Sequence, residues 1–375
     1  MKISSNFDSG NIEVVSLDST SDIQLNISKD NNSDFYQWFH FKIESTAGEE
    51  HQFRILNAKQ SAYPDGWQDY KTMASYDRET WFRIDTCYED GELKFNHIPD
   101  FDHVFYAYFV PYSYERHLDL IHKSQLAPDT QLITLGQTID GRDMSLLQIG
   151  QEAEGKKKIW ITARQHPGES MAEWYVEGLL ERLFDHDDAV SRLLLDNAVF
   201  YVVPNMNPDG SARGHLRTNA VGTNLNREWL EPSLDKSPEV FYVRQKMLET
   251  GVDMFLDIHG DEAIPYNFVA GCEGIKSYDA RHQALEETFK AAYAAATPEF
   301  QDVHGYDKDE PGQALPTVGA AWVGEQFKCL SYTVEMPFKD HNDAPDAFYG
   351  WNDVRSAKFG ADVLTAILAV VKKLR

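Results

Sequence analysis

The stretch Lys158-Ile159-Trp160-Ile161-Thr162-Ala163-Arg164-Gln165-His166-Pro167-Gly168-Glu169-Ser170 reads as strand, turn and helix start in succession. Its apolar run, Ile159-Trp160-Ile161, has the character of a buried strand. From Ser170 onward Met171, Trp174, Tyr175, Gly178, Leu179 and Leu183 fall at helical spacing, with Ser170 in a capping position and Glu173 three residues on. The turn between them sets His166 and Glu169 three residues apart. Such a turn can hold an imidazole nitrogen and a carboxylate oxygen on one side of the backbone. That is two of the three protein ligands of a catalytic zinc, with the last position left for water. A bare His-x-x-Glu pair is common by chance, so the rest of the chain must supply a third ligand, a base and a substrate clamp.

The alternation of strand and helix continues downstream. Residues 199–203, 255–258, 267–270 and 331–334 are further apolar strands, and 238–248, 278–295 and 354–374 carry helical patterns. This predicts a three-layer α/β domain with a largely buried sheet. Upstream the rhythm differs. Residues 22–28, 39–44 and 53–57 alternate with period two, 105–109 form an aromatic strand, and turn clusters at 29–34 and 63–66 separate them. Short alternating strands predict an all-β antiparallel sandwich, with Trp38, Trp81 and Phe82 in its core. A chain of 375 residues exceeds the size at which one core usually stops growing. The expected organisation is a sandwich domain over 1–112 and an α/β domain over 113–375.

Composition narrows the partners. The formal net charge is -25, a field that repels phosphates, so nucleic acid and anionic membrane surfaces are not expected partners. No run approaches the ~18 apolar residues of a membrane span. The three cysteines, Cys87, Cys272 and Cys329, are far apart and odd in number. With a polar N-terminus that lacks an apolar signal core, they predict a reducing, cytoplasmic setting.

Catalytic groups of open α/β sheets collect at the carboxyl ends of the strands. After the first strand come His166 and Glu169. After the second comes Asn207-Pro208-Asp209-Gly210, followed by Arg217 and by Asn224-Leu225-Asn226-Arg227. The third ends in His259 and the last in Glu335. His166, Glu169 and His259 are candidate zinc ligands, Glu335 a carboxylate near the metal, and Arg217, Asn226 and Arg227 anion binders. Singly, a histidine after a strand is usually structural, and Arg227 could simply stack on Trp229. Jointly, an ordinary core has no reason to place two histidines, two carboxylates and two arginines at successive sheet ends.

These motifs, in this order, make the chain resemble the M14 zinc metallocarboxypeptidases, and more narrowly their cytosolic carboxypeptidase-like branch. The family's His-x-x-Glu is matched by His166 and Glu169, its Asn-Pro-Asp-Gly turn by residues 207–210, its following arginine by Arg217 and its Asn-Arg pair by Asn226 and Arg227. Its third ligand is matched by His259 and its catalytic glutamate by Glu335. Phe7-Asp8-Ser9-Gly10-Asn11, Gln37-Trp38-Phe39-His40-Phe41, Trp81-Phe82-Arg83 and Pro111-Tyr112-Ser113-Tyr114 resemble the β-sandwich that precedes the catalytic domain in that branch.

The resemblance implies a carboxypeptidase-like mixed sheet, one Zn2+ per chain, and removal of the C-terminal residue of peptides or proteins. Glu335 would handle the water's proton, Arg217 the scissile carbonyl, and Asn226 with Arg227 the terminal carboxylate. A related zinc amidohydrolase acting on N-acyl amino acids, and a catalytically weak protein that binds C-terminal tails, are the competing readings. One departure stands out: where the family commonly has Asp two residues before the Asn of Asn-Arg, in support of a zinc-binding histidine, this chain has Asn224. The family's mobile tyrosine matches either Tyr306 or Tyr332. The expected pocket wall, residues 314–322, has no Lys or Arg, which predicts an apolar or mixed pocket rather than a glutamate-specific one. Oligomeric state is not legible.

Overall fold

The computed structural model describes residues 1–375. The first part forms two five-stranded sheets. One orders Lys2–Ser4, His40–Glu44, His103–Ala107, Thr72–Ser75 and Trp81–Ile84, with every pair antiparallel. The other orders Glu13–Ser16, Ile23–Asn26, His51–Ile55, Glu92–His97 and Thr86–Glu89, antiparallel except between Ile23–Asn26 and His51–Ile55. Alternation along His51–Ile55 buries His51, Phe53 and Ile55, and Phe53 stacks on Phe95 with ring centroids 4.6 Å apart. Trp38 and Trp81 are buried in this part. Phe82 is only partly buried and stacks on Phe348 of the second part.

The second part is built on a seven-stranded mixed sheet. Its strands are β1 (Thr130–Gln137), β2 (Asp143–Ile149), β3 (Lys157–Ala163), β4 (Ala198–Val203), β5 (Met254–Ile258), β6 (Phe268–Ala270) and β7 (Leu330–Glu335), in the order β1-β2-β4-β3-β5-β7-β6. The central strands β4, β3, β5 and β7 run parallel; β2 joins β4 and β6 joins β7 antiparallel, and β1 pairs antiparallel with β2 at the edge. Every residue of β4 and β5 is buried, as a sheet covered on both faces requires. Ile159 and Ile161 pack on one side with the helices Met171–Leu183, Ala280–Ala296 and Asp353–Val371. Trp160 packs on the other with Pro238–Thr250 and Gly319–Phe327. The crossing of Met171–Leu183 with Asp353–Val371 depends on two glycines. A Cβ on Gly178 would lie 1.9 Å from the Ala357 carbonyl oxygen, and one on Gly360 would lie 1.9 Å from that of Tyr175.

Two local expectations need correction. The hairpin of β1 and β2 and the helices Tyr114–Ser124 and Ala189–Asn197 were not anticipated. Ser170 does precede its helix, but its side chain makes no capping bond. Its hydroxyl donates to the Val110 carbonyl at 2.8 Å, while Glu173 is buried against Arg164 and His117.

The two parts share apolar surface. Tyr108 stacks on Phe338 at 4.5 Å, and the buried Arg83 donates to the carbonyls of Phe338 and Trp351 at 2.7 and 2.8 Å. None of the three cysteines is paired. No helix is long and apolar enough to cross a membrane.

Candidate metal and substrate site

The turn after β3 is braced from beneath. Arg164 takes a left-handed backbone, φ 59°, and its side chain is buried. Its guanidinium donates to the carbonyls of Pro167 and Tyr112 at 2.9 and 2.8 Å and pairs with Glu173 at 2.7 Å. The Asn207-Pro208-Asp209-Gly210 turn supports the same segment: Asn207 caps the helix Pro208–Arg213 and donates to the Gln165 carbonyl at 3.0 Å. Asp209 points away, to Thr138 and Arg142. The turn is therefore a buttress, and His166 and Glu169 are what it presents to the cleft.

His259 follows β5 directly and meets them. Glu169 Oε1 lies 2.7 Å from His166 Nδ1, and Glu169 Oε2 lies 2.8 Å from His259 Nδ1. The two Nδ1 atoms are 3.2 Å apart. One ligand atom from each of the three residues falls within a span of 4.8 Å, and all three are buried. Two imidazole nitrogens and a carboxylate oxygen converging in this way fit a zinc ion by donor type and by proximity. The outward nitrogens are also supported. His166 Nε2 is 3.1 Å from Asn224 Oδ1. His259 Nε2 is 3.0 Å from Asp257 Oδ2, close enough for an ion pair but without the alignment of a hydrogen bond.

The electrostatics separate these groups. Burial, then the positive charge of Arg217, pushes the His166 imidazole down to about 4. Burial opposes a charge on Glu169, but the charges and hydrogen bonds of the two histidines outweigh it and hold the carboxyl well below its usual range. Burial likewise opposes a proton on His259, yet Asp257 and Glu169 on either side raise it.

Glu335, the last residue of β7, is 5% exposed. Burial raises its carboxyl, Glu169, Asp261 and Glu262 add to the effect, and His259 works against it. Glu335 Oε1 accepts from the Tyr306 hydroxyl at 3.2 Å, while Oε2 has no partner. Tyr306 shares that single hydroxyl proton with Asp261, the nearer acceptor at 2.7 Å, and is half-exposed on the cleft wall. Tyr332, the other tyrosine in question, is fully buried and stacks on Phe289, away from the cleft.

Both arginines and Asn226 line the same cleft. Asn226 Oδ1 accepts from the Gly319 N–H at 2.8 Å, which leaves its amide NH2 free to donate. The Arg227 guanidinium bonds only its neighbour's carbonyl, that of Asn226. The Arg217 guanidinium makes no ion pair or hydrogen bond and lies over the rings of Phe35 and Tyr63, 5.5 and 5.4 Å from their centroids. Arg227 does not stack on Trp229, whose indole N–H instead donates to Gln165 at 2.9 Å.

The cavity measures about 530 Å3. Beyond the arginines its walls include Val269, Ala270, Leu315, Val318, Ala320 and Ala321. Two lysines enter from other segments, each already paired. Lys308 meets Glu273 at 2.8 Å, and Lys290 meets Glu286 and Asp302 at 2.8 and 3.0 Å. Sequence reading missed these lysines, as it missed Tyr63, Glu262 and Asp257. Asp257 carried a signal, since alternation along β5 puts it on the same side as His259. Tyr63 and Phe35 carried none, because they arrive from the sandwich.

Comparison with known proteins identifies the family. Residues 117–351 match the family model described as zinc carboxypeptidase, and residues 3–109 match that of the cytosolic carboxypeptidase N-terminal domain. Among solved structures, a metallo-carboxypeptidase from Pseudomonas aeruginosa in complex with (2-guanidinoethylmercapto)succinic acid is 46% identical at TM-score 0.98, with all of both chains covered. One from Burkholderia cenocepacia is 48% identical at TM-score 0.97, with 99% of each covered. Mouse cytosolic carboxypeptidase 6 is 30% identical over 71% of this chain, which spans only 54% of that relative's length.

Proposed function

We infer the reaction from one premise: the chain belongs to the M14 zinc carboxypeptidase family, and is a peptidase. On that premise it removes the C-terminal residue of peptides or proteins with the help of one zinc ion held by His166, Glu169 and His259. When bound there, zinc supplies Lewis acidity and brings the pKa of a water toward ~7. The other steps belong to the chain. Glu335 Oε2, buried and unpartnered, takes a proton from the attacking water and returns it to the leaving amine. The raised affinity of Glu335 for a proton suits the first transfer, in which it acts as a base. Arg217 stabilises the carbonyl oxygen as charge develops. The Asn226 amide and the Arg227 guanidinium bind the terminal carboxylate, the guanidinium through parallel hydrogen bonds. Tyr306, bonded to Glu335, closes that side of the cleft.

The observation that carries this reading is the pair of arginines. In a chain of net charge -25, two guanidiniums beside a ligand cluster have no acidic partner, although carboxylates surround them. Unpaired cations of this kind are the mark of an anion site. The Pseudomonas aeruginosa relative is in complex with a substituted succinic acid, a dicarboxylic acid, which supports a carboxylate-binding role here. Walls that combine apolar side chains with the carboxylates of Glu273, Asp302, Asp307 and Asp309 and with ion-paired lysines favour apolar or mixed C-terminal side chains over a glutamate-specific pocket. The unpaired cysteines are in keeping with a reducing, cytoplasmic setting.

The test is metal content together with turnover of peptides ending in Phe, Leu, Lys and Glu, with and without a chelator. Stoichiometric zinc and chelator-sensitive release of the last residue are expected. Cleavage of N-acyl amino acids but not peptides would favour the amidohydrolase reading, and binding without turnover the tail-binding one. A strong preference for Glu would sink the pocket assignment alone.

A further inference from the structure

We propose that Asp30, in the sandwich part of the chain, is a positioning residue for Arg217. It is 3% exposed, and its carboxylate receives three successive backbone N–H groups of the arginine's loop. Asp30 Oδ1 accepts from Leu216 at 2.7 Å, and Oδ2 accepts from Arg217 at 2.8 Å and Thr218 at 2.9 Å. The Thr218 hydroxyl adds a fourth bond at 3.0 Å. Consecutive N–H groups turned to one point form a nest that attracts an anion, and here the anion is a side chain from the other domain. On its far side the same loop joins the metal turn: the Leu216 carbonyl accepts from Gly168 N–H at 2.9 Å. A Cβ on Gly168 would lie 2.9 Å from that oxygen. Residues 216–218 are thus clamped between Asp30 and the His166–Glu169 turn.

The sandwich grips the arginine at both ends. Asp30 fixes its backbone, and the rings of Phe35 and Tyr63 lie under its guanidinium. No other hydrogen bond or ion pair restrains that guanidinium, so its position over the cleft depends on these contacts. Neighbouring bonds hold the rest of the segment independently. Asn11 donates to the Gly214 carbonyl at 2.8 Å, and Asn31 Oδ1 meets His215 Nε2 at 2.7 Å. Loss of Asp30 therefore loosens residues 216–218 while the loop stays docked.

The inference rests on the reading of Arg217 as a catalytic residue, and a double-mutant cycle separates the two. Asp30→Asn is nearly isosteric, but its amide NH2 must face at least one backbone N–H, so at least one of these bonds is lost. Asp30→Asn, Arg217→Ala and the double variant are compared by zinc content, melting temperature, and kcat and KM on a peptide the wild type cleaves. Asp30→Asn is expected to lower kcat about 10- to 100-fold through misplacement of Arg217, with zinc content and KM near wild type. In the Arg217→Ala background it should cost less than about threefold, because the group it positions is gone. Equal losses in both backgrounds, or an unchanged kcat in the single variant, overturn the proposal. An Arg217→Ala variant with undiminished kcat overturns the catalytic reading instead. If Asp30→Asn does not yield folded protein, Phe35→Ala in the same cycle tests the grip from the guanidinium end, with the same non-additivity expected and additive losses overturning it.

Discussion

Asn224→Asp is the sharpest test of the proposed metal site, because it places a charge where a neutral amide now supports the proposed ligand His166. Asn224 Oδ1 sits 3.1 Å from His166 Nε2 and also accepts from the Asn226 N–H at 3.1 Å. Asn224 Nδ2 makes no hydrogen bond, so an oxygen in its place breaks nothing. A hydrogen bond to a charged group contributes about 1.5–3 kcal/mol against about 0.5–1.5 for a neutral one, and the buried His166 end is little screened by solvent. The difference of about 1–1.5 kcal/mol corresponds to about tenfold in an equilibrium constant, at the lower edge of the ~10–100-fold typical of groups behind a metal ligand. Asn224→Asp should therefore tighten the zinc dissociation constant about tenfold, and Asn224→Ala should weaken it by a similar factor. Competition with a chelator of known affinity at neutral pH measures both. The size of the gain depends on pH. The new carboxylate also raises the His166 pKa from its depressed value of about 4, so a proton competes better with the metal in acid and the gain shrinks as pH falls. An Asn224→Asp protein with wild-type melting behaviour and unchanged or weaker zinc affinity at neutral pH would refute the assignment of Asn224 as the support of a zinc ligand.

Three further substitutions probe the chemistry and the fold. Glu335→Gln should keep its zinc and lose turnover by about 10^2–10^4-fold, the usual contribution of acid–base catalysis; near-normal peptide cleavage would refute the role. Arg227→Lys should raise KM about tenfold with kcat within about threefold, since a point charge cannot reproduce a planar fork; an unchanged KM would count against the carboxylate clamp. Glu239 is fully buried, and that burial raises its carboxyl to about 8, partly offset by hydrogen bonds that include Asn219. Between the unfolded value near 4.5 and about 8, the folded state holds a proton the unfolded chain has released, so stability falls as pH rises through that window. Glu239→Gln should flatten that loss, gaining on the wild type by a few kcal/mol between pH 5 and 9, as read from denaturant midpoints. Parallel curves for the two proteins would show that Glu239 is ionised in the fold.

What the sequence made legible follows from the range of the interactions involved. The strands and long helices of the second part announce themselves through local periodicity, and their ends fall within a few residues of the expected limits. Strand ends in a parallel sheet lie side by side, so residues placed after successive strands are brought to one edge by topology alone. This is why His166, Glu169, His259 and Glu335 could be grouped before any distance was known. The β1–β2 hairpin escaped because β1 is only half covered and shows no clean alternation. The capping box failed for a different reason: Ser170 and Glu173 have the right spacing, but Val110 and His117, from distant segments, and Arg164, from the turn before the helix, are their partners. Tertiary bonds in a buried setting displaced a local one.

The same limit explains how the role of the sandwich stayed hidden. Asp30, Phe35 and Tyr63 lie among turn residues whose composition says only that the chain reverses there. Their partners sit on a loop far along the chain, and nothing in the spacing of either segment encodes that meeting. The periodicities that identify strands and helices also miss it, because neither Asp30 nor residues 216–218 belong to a regular element. A reading confined to the second part finds every candidate ligand and still leaves the Arg217 guanidinium without restraint. Only the contact between the two parts supplies it. Substitutions of residues buried at that contact should therefore be felt first at the arginine and only afterwards at the proposed metal site, whose candidate ligands are tied to one another and to the sheet.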